Sequence, residues 1–433
     1  MKKLLKLTAL IISLILALYC VSCKHSNDDE EPVQEEENFP AMGALKSLKA
    51  VEGVPQVYTA EFEGDYFLDD VIGSNLTTAR KLLSYLYSSA KTWVAQENTK
   101  NLTINVQGAA CSSIVAKKKD GEGYIYGRNF DWDPGACLIL RTKPTKGYES
   151  VSTCYLEFVS LDPDWEPNTN TDNNMLALAC IYVPMDGMNE KGLYIANLNN
   201  DYDAVLPNTS DTTKKYVQTT VAIRYILDRA KDVDEALNWL QDIIMCPVYG
   251  DMVDENGEPD CYDYHFAIAD NSGRSVVVEW VSGVMKYVDT KIVTNHHLAV
   301  YDPQEDDWGI CDTKGDGYVD DDDFTNNIDE NNLYLGSGSE ERFIRLWRKK
   351  NNEMSVAEVT DALKNVQQKH STWSAVFEPS AKKVTYYFRK ANILEGVQQI
   401  PSDTHDYDED EYPDYYKAVH EPMNYDKPVV VQF

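Results

Sequence analysis

Hydrophobic and polar positions alternate with a period of two along much of this chain. Cys111 to Lys117 and Tyr124 to Asn129 each read as a β-strand, and the glycine-rich charged stretch Lys119 to Gly123 between them supplies a hairpin turn. His265 to Ala269 and Arg274 to Val281 form a second hairpin across Asn271 to Gly273, and Val284 to Val288 continues it as a meander. Val57 to Asp70 also suggests strands. A helical period takes over at Tyr216 to Arg229, Val233 to Ile243 and Ser355 to Val366, with Asp232 opening the second and Ser355 with Glu358 forming a capping box on the third. A further helical pattern runs from Leu76 to Glu97 through Ala79, Leu82, Leu83, Leu86, Trp93 and Val94. Strand-rich runs with a few amphipathic helices predict an α+β fold, most economically two antiparallel sheets sandwiched by helices. No internal repeat is visible.

The N-terminus changes the picture of where this fold resides. A basic start, an apolar core from Leu7 to Leu18 and a close at Cys20 to Cys23 read as a secretory signal, since the apolar run is too short to span a bilayer. Its end resembles a bacterial lipobox, with residues 1–22 removed and Cys23 lipidated. The acidic stretch that follows resembles the sorting tag of surface lipoproteins in Bacteroidetes-type bacteria. The expected localisation is the bacterial cell envelope, lipid-anchored at the outer membrane; an anchor at Cys20 or plain secretion are the alternatives. Residues 23–40 read as an acidic tether, 41–110 as a folded presegment, and 111–433 as the catalytic domain.

Charge narrows the partners. The chain has 71 acidic and 40 basic residues, a formal net charge of −31, which excludes nucleic acid as a natural partner. Much of the excess lies in two runs, Asp28 to Glu37 and Asp403 to Asp414, read as a solvated tether and an exposed loop. The 43% hydrophobic content is enough for a large core.

The chemistry centres on Cys111. A cysteine opening one strand, with Arg128 and Asp131 at the end of the next, is how a nucleophile on an N-terminal residue is built. A cysteine made N-terminal by cleavage carries its own base, because an α-amino group with a reference pKa near ~7.7–8.0 can take the thiol proton. Taken singly, Cys111 reads as a buried half-cystine or a packed thiol, Arg128 with Asp131 as a structural ion pair, and Asn295 as a strand-end cap.

Four stretches in order weigh against that plain reading. Cys111 to Ile114 followed by Gly127 to Trp132, then Lys191 to Asn199, then Ile292 to Asn295, then Gly336 to Arg345 resemble the choloylglycine hydrolase family, which holds bile salt hydrolases and penicillin V acylases. They also resemble the related acid ceramidases and N-acylethanolamine amidases. The resemblance can cover roughly three quarters of the chain, from Cys111 onward. It implies a four-layer αββα N-terminal-nucleophile hydrolase fold and hydrolysis of linear amide C–N bonds. It implies Cys111 as nucleophile, Asn295 with Asn199 or a backbone N–H as oxyanion donors, Asp131 as acceptor from the new ammonium, and Arg128 and Arg342 as the groups that hold the thiolate and nearby carboxylate. No cofactor is required for this catalysis.

Departures from the family pattern fall on pocket walls. Position 197 is Asn where the family often has Gly. Asn200 stands where bile salt hydrolases usually have an aromatic, and His296 with His297 replaces a small residue and Pro. The expected partner is a small-molecule amide with an apolar acyl group, either a conjugated bile salt or related N-acyl amino acid, or an N-acylethanolamine or other lipid amide. The presegment favours the second, because bile salt hydrolases usually lack one. A binding lipoprotein on a retired scaffold is the third reading. Oligomeric state is not legible in the sequence.

Two further patterns stand apart. The run Asp312 to Asp323 matches an EF-hand loop in part, with Asp312, Asp316, Tyr318, Asp320 and Asp323 as ligands and Gly317 at the turn; it reads either as a structural Ca²⁺ site or as a solvated acidic loop. Cys137, Cys154, Cys180, Cys246, Cys261 and Cys311 are an even set in an oxidising location, with pairing undetermined and buried thiols as the alternative.

Overall fold

The computed structural model describes residues 44–76, 82, 85, 110–132, 135–159, 177–200, 213–246, 248–253, 259–262, 264–281, 284–299, 338–368, 371–389 and 423–433. In chain order these hold β1 (Ala44–Ala50), β2 (Val57–Gly64), α1 (Leu68–Gly73), β3 (Ala110–Lys118), β4 (Tyr124–Asp131), β5 (Cys137–Pro144), β6 (Ser150–Tyr155), β7 (Asp186–Asn189), β8 (Tyr194–Asn199) and β9 (Lys215–Gln218). There follow α2 (Thr219–Arg229), α3 (Val233–Gln241), β10 (Ile243–Cys246), β11 (Val248–Val253), β12 (Pro259–Tyr262), β13 (Tyr264–Ala269), β14 (Ser275–Val281), β15 (Val284–Asp289) and β16 (Ile292–Val293). The chain closes with α4 (Ser339–Lys349), β17 (Glu353–Met354), α5 (Val356–Asn365), β18 (Ser371–Glu378), β19 (Lys383–Phe388) and β20 (Val429–Gln432).

Among the described residues, two large sheets form. One has the order β1-β2-β5-β6-β7-β8-β13-β14-β15; the other runs β16-β3-β4-β18-β19-β20, with β17 beside β3. They are antiparallel except that β2 pairs parallel with β5 and β17 parallel with β3, which corrects the expectation of two purely antiparallel sheets. The physical reason is connectivity. Antiparallel neighbours suit short turns, whereas β2 and β5 are joined through a long excursion that can return a strand in either direction.

Helices cover the outer faces. Helix α2 lies on β7 and β8 with α3 beside it, and α4 and α5 lie on β3, β4, β16 and β18. The inner faces meet through Tyr126 against Tyr194 (centroids 5.4 Å), Phe130 against Tyr155 (6.2 Å) and the Thr153 hydroxyl donating to the Tyr386 hydroxyl (3.0 Å). The result is the four-layer αββα arrangement implied by the resemblance. Strand alternation sorts the side chains. Tyr126, Arg128 and Phe130 of β4 face the other sheet, while Asn129 turns outward and donates Nδ2–H to the Leu363 carbonyl of α5 at 2.9 Å.

Local signals account for the element ends. Asp232 caps α3 by accepting from the Glu235 N–H at 2.9 Å, and the Ser355/Glu358 capping box opens α5. Helix α2 starts at Thr219 rather than Tyr216, because Lys215–Gln218 is drawn into a parallel pairing with β10. The strand expected to reach Asp70 stops at Gly64; Asp65 accepts from the Phe67 N–H at 2.7 Å and turns the chain into α1. The acidic tether, Cys23, most of the Leu76 to Glu97 pattern and the whole Asp312 to Asp323 loop lie outside the described residues. Cys154 and Cys180 are buried thiols, and the Cys137 thiol donates to the Gly135 carbonyl at 3.6 Å, so these three favour the buried-thiol reading over disulfides.

Gly127 marks where α5 presses on the sheet. A Cβ there would lie 2.8 Å from Val359 Cγ1 and 2.9 Å from Ile114 Cγ2. Gly127→Val is therefore expected to cost about 1–3 kcal/mol through overpacking, read as a lowered urea midpoint at unchanged slope.

Candidate active site

The site forms where the start of β3, the ends of β4, β8 and β16, and the start of α4 converge between the sheets. In the β3/β4 register Cys111 lies opposite Phe130 and Ser113 opposite Arg128, so Cys111 and Arg128 share the inner face. Arg128 Nη2 donates to Cys111 Sγ at 3.6 Å, and both residues are buried. Burial pushes the Cys111 thiol up; Arg128, the strongest opposing influence, pulls it down.

Asn295 is the hub of the backbone around the cysteine. Its Oδ1 accepts from the Cys111 N–H at 2.7 Å and from Arg342 Nη2 at 2.7 Å, and its Nδ2 donates to the Asn199 carbonyl at 2.5 Å. Two donors on one side and a carbonyl on the other fix the orientation of the amide. In this uncut chain the Cys111 nitrogen is a peptide N–H; it occupies the position an α-amino group would hold after cleavage. Arg342 Nη1 also donates to the Cys111 carbonyl, and to Ser112 Oγ at 3.1 Å. Asn199 thus meets the site through its backbone carbonyl.

Asp131 sits at the end of β4 opposite Ala110. Its Oδ1 accepts from the Ser371 hydroxyl, and its Oδ2 is buried without a partner. Burial pushes its carboxyl up to about 6, against the pull of Arg342, Ser371 and Arg128.

The structure adds residues that the sequence did not reveal. Asp186 Oδ2 accepts from Arg128 Nε at 2.9 Å and from Trp373 Nε1 at 2.9 Å, deep between the sheets. Ser339, the first residue of α4, accepts from the Asn295 N–H at 2.6 Å and joins Thr294 and His296 in a hydroxyl–imidazole cluster. Glu279 accepts from the Leu298 N–H (3.0 Å), the Ala299 N–H (2.7 Å) and His265 Nδ1 (3.0 Å), while His265 Nε2 meets the Thr294 carbonyl at 2.7 Å. Burial alone would raise the Glu279 carboxyl; hydrogen bonds from His265 and His297 outweigh it and hold it below its ordinary range. Its signal was present in the sequence as one acid inside the apolar strand Ser275–Val281. Asp186 carried no such mark. Among the described residues no cluster of three or more His, Cys, Asp or Glu is placed to hold a metal.

The sequence profile of the linear amide C–N hydrolases, choloylglycine hydrolase family, matches residues 111–389, more than half of the chain. This chain belongs to the choloylglycine hydrolase family. It is a linear amide C–N hydrolase acting on small-molecule amides. The matched region starts at Cys111 itself, and the choloylglycine hydrolase motifs lie on the strand and helix ends described above. Among solved structures it resembles a mutant conjugated bile acid hydrolase from Clostridium perfringens, at 14% identity over 64% of this chain and 89% of that chain, with a TM-score of 0.40. It also resembles penicillin V acylase from Agrobacterium tumefaciens, at 16% identity over 64% of this chain and 83% of that chain, with a TM-score of 0.41. No curated protein matches the sequence.

The buried Arg128–Asp186 pair gives a direct test of the site's construction. Asp186→Ala is expected to leave the guanidinium uncompensated and to destabilise the fold by about 3–5 kcal/mol, measured by equilibrium denaturation.

Proposed function

We propose that Cys111 becomes the N-terminal nucleophile of this amide hydrolase by cleavage of the Ala110–Cys111 bond. The observation that carries this is the convergence on one residue: Asn295 and Arg342 hold the Cys111 backbone on both sides while Arg128 reaches its sulfur. Cleavage adds water across the bond, leaving a carboxyl on Ala110 and an amine on Cys111. The amine then takes the thiol proton, and the thiolate attacks the substrate carbonyl. The oxyanion is stabilised by the second Nδ2 hydrogen of Asn295, a donor of a kind worth roughly 2.7–4 kcal/mol. Collapse expels the amine product, which takes its proton from the Cys111 ammonium and leaves an acyl thioester. Water, deprotonated by the same α-amine, attacks the thioester, releases the carboxylic acid and restores the thiol. Asp131 Oδ2, buried and unpartnered, is the acceptor that turns the new ammonium toward the sulfur.

The proposed substrates are conjugated bile salts or related N-acyl amino acids with an apolar acyl group. A specific observation supports a second reading, hydrolysis of N-acylethanolamines or other lipid amides. The presegment is built into the catalytic fold through β2, paired along its length with β5, and a folded presegment is what the resemblance to the ceramidase and N-acylethanolamine branch implies. We assign the enzyme to the bacterial outer membrane, anchored through lipid on Cys23.

Intact mass and N-terminal sequencing of the secreted chain test the first step. Two fragments, one beginning at Cys111, are expected for wild type and a single inactive chain for Cys111→Ala; a wild-type chain that hydrolyses amides uncut would overturn the mechanism. Taurine-conjugated bile salts assayed beside N-acylethanolamines separate the two substrate classes.

The pH dependence follows from Asp131. A carboxyl raised to about 6 is neutral below that pH and ionised above it, and only the ionised form holds the ammonium. The new positive charge can only lower this value, so kcat/KM is expected to fall as pH drops below about 6. Asp131→Asn is expected to lose roughly 10²-fold in kcat and to lose this acid limb, both read from a pH–rate profile.

A further inference from the structure

The two departures noted at positions 200 and 297 touch each other. Asn200 Nδ2 lies 2.8 Å from His297 Nε2 and 3.2 Å from Nδ1, bridging the strand end that carries Asn199 to the segment that carries Asn295. His297 Nδ1 also faces Glu279 Oε2 at 3.4 Å. Glu279 already accepts from two backbone N–H groups and from His265, so it presents a carboxylate to His297.

The Asn200 amide presents Nδ2 to the His297 ring, whose Nδ1 faces the Glu279 carboxylate. Oδ1 of Asn200 is thereby turned away from the histidine. It is buried without a hydrogen-bond partner, in a residue only 8% exposed. An acceptor left alone in such a place costs roughly 1–3 kcal/mol unless a donor arrives. It belongs to the residue that follows Asn199, whose carbonyl accepts from Asn295 Nδ2 at 2.5 Å.

We propose that Asn200 is a specificity-determining residue whose Oδ1 accepts a hydrogen bond from an N–H or O–H of the substrate, selecting amides that carry such a donor near the scissile carbonyl. The inference rests on the reading of Cys111 and Asn295 as the reacting centre and deepens it. Glu279, His265 and His297 are positioning residues that hold this acceptor in place. The donor is either a hydroxyl on the acyl group or the scissile amide N–H itself. An apolar residue at this position would leave such a donor unpaired, whereas a site that accepts from it discriminates strongly against analogues that lack it.

The test compares three N-acyl substrates on the full chain: an acyl glycine with a hydroxyl near the carbonyl, its deoxy counterpart, and the ester of the deoxy acid with glycolate. Asn200→Leu is expected to lose about 10- to 100-fold in kcat/KM on every substrate that carries the recognised donor and less than about 3-fold on its matched partner without it. A loss confined to the hydroxylated amide assigns the donor to the acyl group; a loss on both amides and not on the ester assigns it to the scissile N–H. Asn200→Asp, which keeps an acceptor, is expected to preserve the discrimination, and thermal melting checks that both variants fold. Equal losses on all three substrates, or none, would overturn the inference. Should wild type hydrolyse none of them, the reading of Cys111 fails on its own. Calorimetry with the same uncleaved substrates then reads Asn200 directly, and equal affinities of wild type and Asn200→Leu for each of them would likewise overturn the proposal.

Discussion

Two guanidinium groups buried beside one sulfur set the terms for the rest of the structure. Arg128 is 0% and Arg342 3% exposed, and a cation removed from water costs several kcal/mol unless other groups replace its hydration. Arg128 obtains that replacement from Asp186, which is why a carboxylate from β7 stands in the layer between the sheets. Arg342 donates to the Cys111 carbonyl, Ser112 Oγ and Asn295 Oδ1, and lies close enough to Asp131 to pull its carboxyl down. Meeting that demand requires the start of β3, the end of β16 and the first turn of α4 to arrive together. The fold is in this sense organised around desolvated charge, and the thiol sits beside Arg128.

The balance also bears on the role proposed for the cysteine, which would need a base. Burial favours the neutral thiol, and the pull of Arg128 does not overcome it. A thiolate formed at Cys111 would be welcomed by both arginines, but its proton must first go somewhere close by. The Cys111 nitrogen, separated from the sulfur by Cβ and Cα alone, is held by Asn295 Oδ1. As a peptide N–H it has no basicity; as an amine it would. On the proposed mechanism, cleavage of the Ala110–Cys111 bond would turn the inert peptide N–H into the base.

How much of this was legible in the sequence depended on the range of each interaction. The β3/β4 hairpin could be read because alternation and a glycine-rich turn are local, and it correctly brought Arg128 to Cys111. The capping boxes and helix α3 were legible for the same reason. Asp186 was not, since its partners Arg128 and Trp373 come from the opposing sheet and nothing within a few residues distinguishes it from a turn aspartate. Glu279 could have been found: an acid inside an apolar strand that is buried on both faces must have a partner, and His265, fourteen residues earlier on the paired strand, is that partner. Asn199 was placed on the right strand end, but only coordinates distinguish a contribution through its carbonyl from one through its side chain. The parallel pairing of β2 was hidden because parallel partners leave no turn between them.

That parallel strand bears on what cleavage after Ala110 can do. Val57–Gly64 pairs in continuous register with Cys137–Pro144, and Val57, Tyr58, Ala60 and Phe62 are buried in the common core. Removing β1 and β2, which form one edge of that sheet, would unpair β5 and expose that apolar surface. Were the chain cut after Ala110, the piece ahead of the cut would therefore remain a structural part of the enzyme. A lipid on Cys23 would then tether the catalytic piece through hydrogen bonds and packing alone, so that anchoring and activity depend on the same β2–β5 seam.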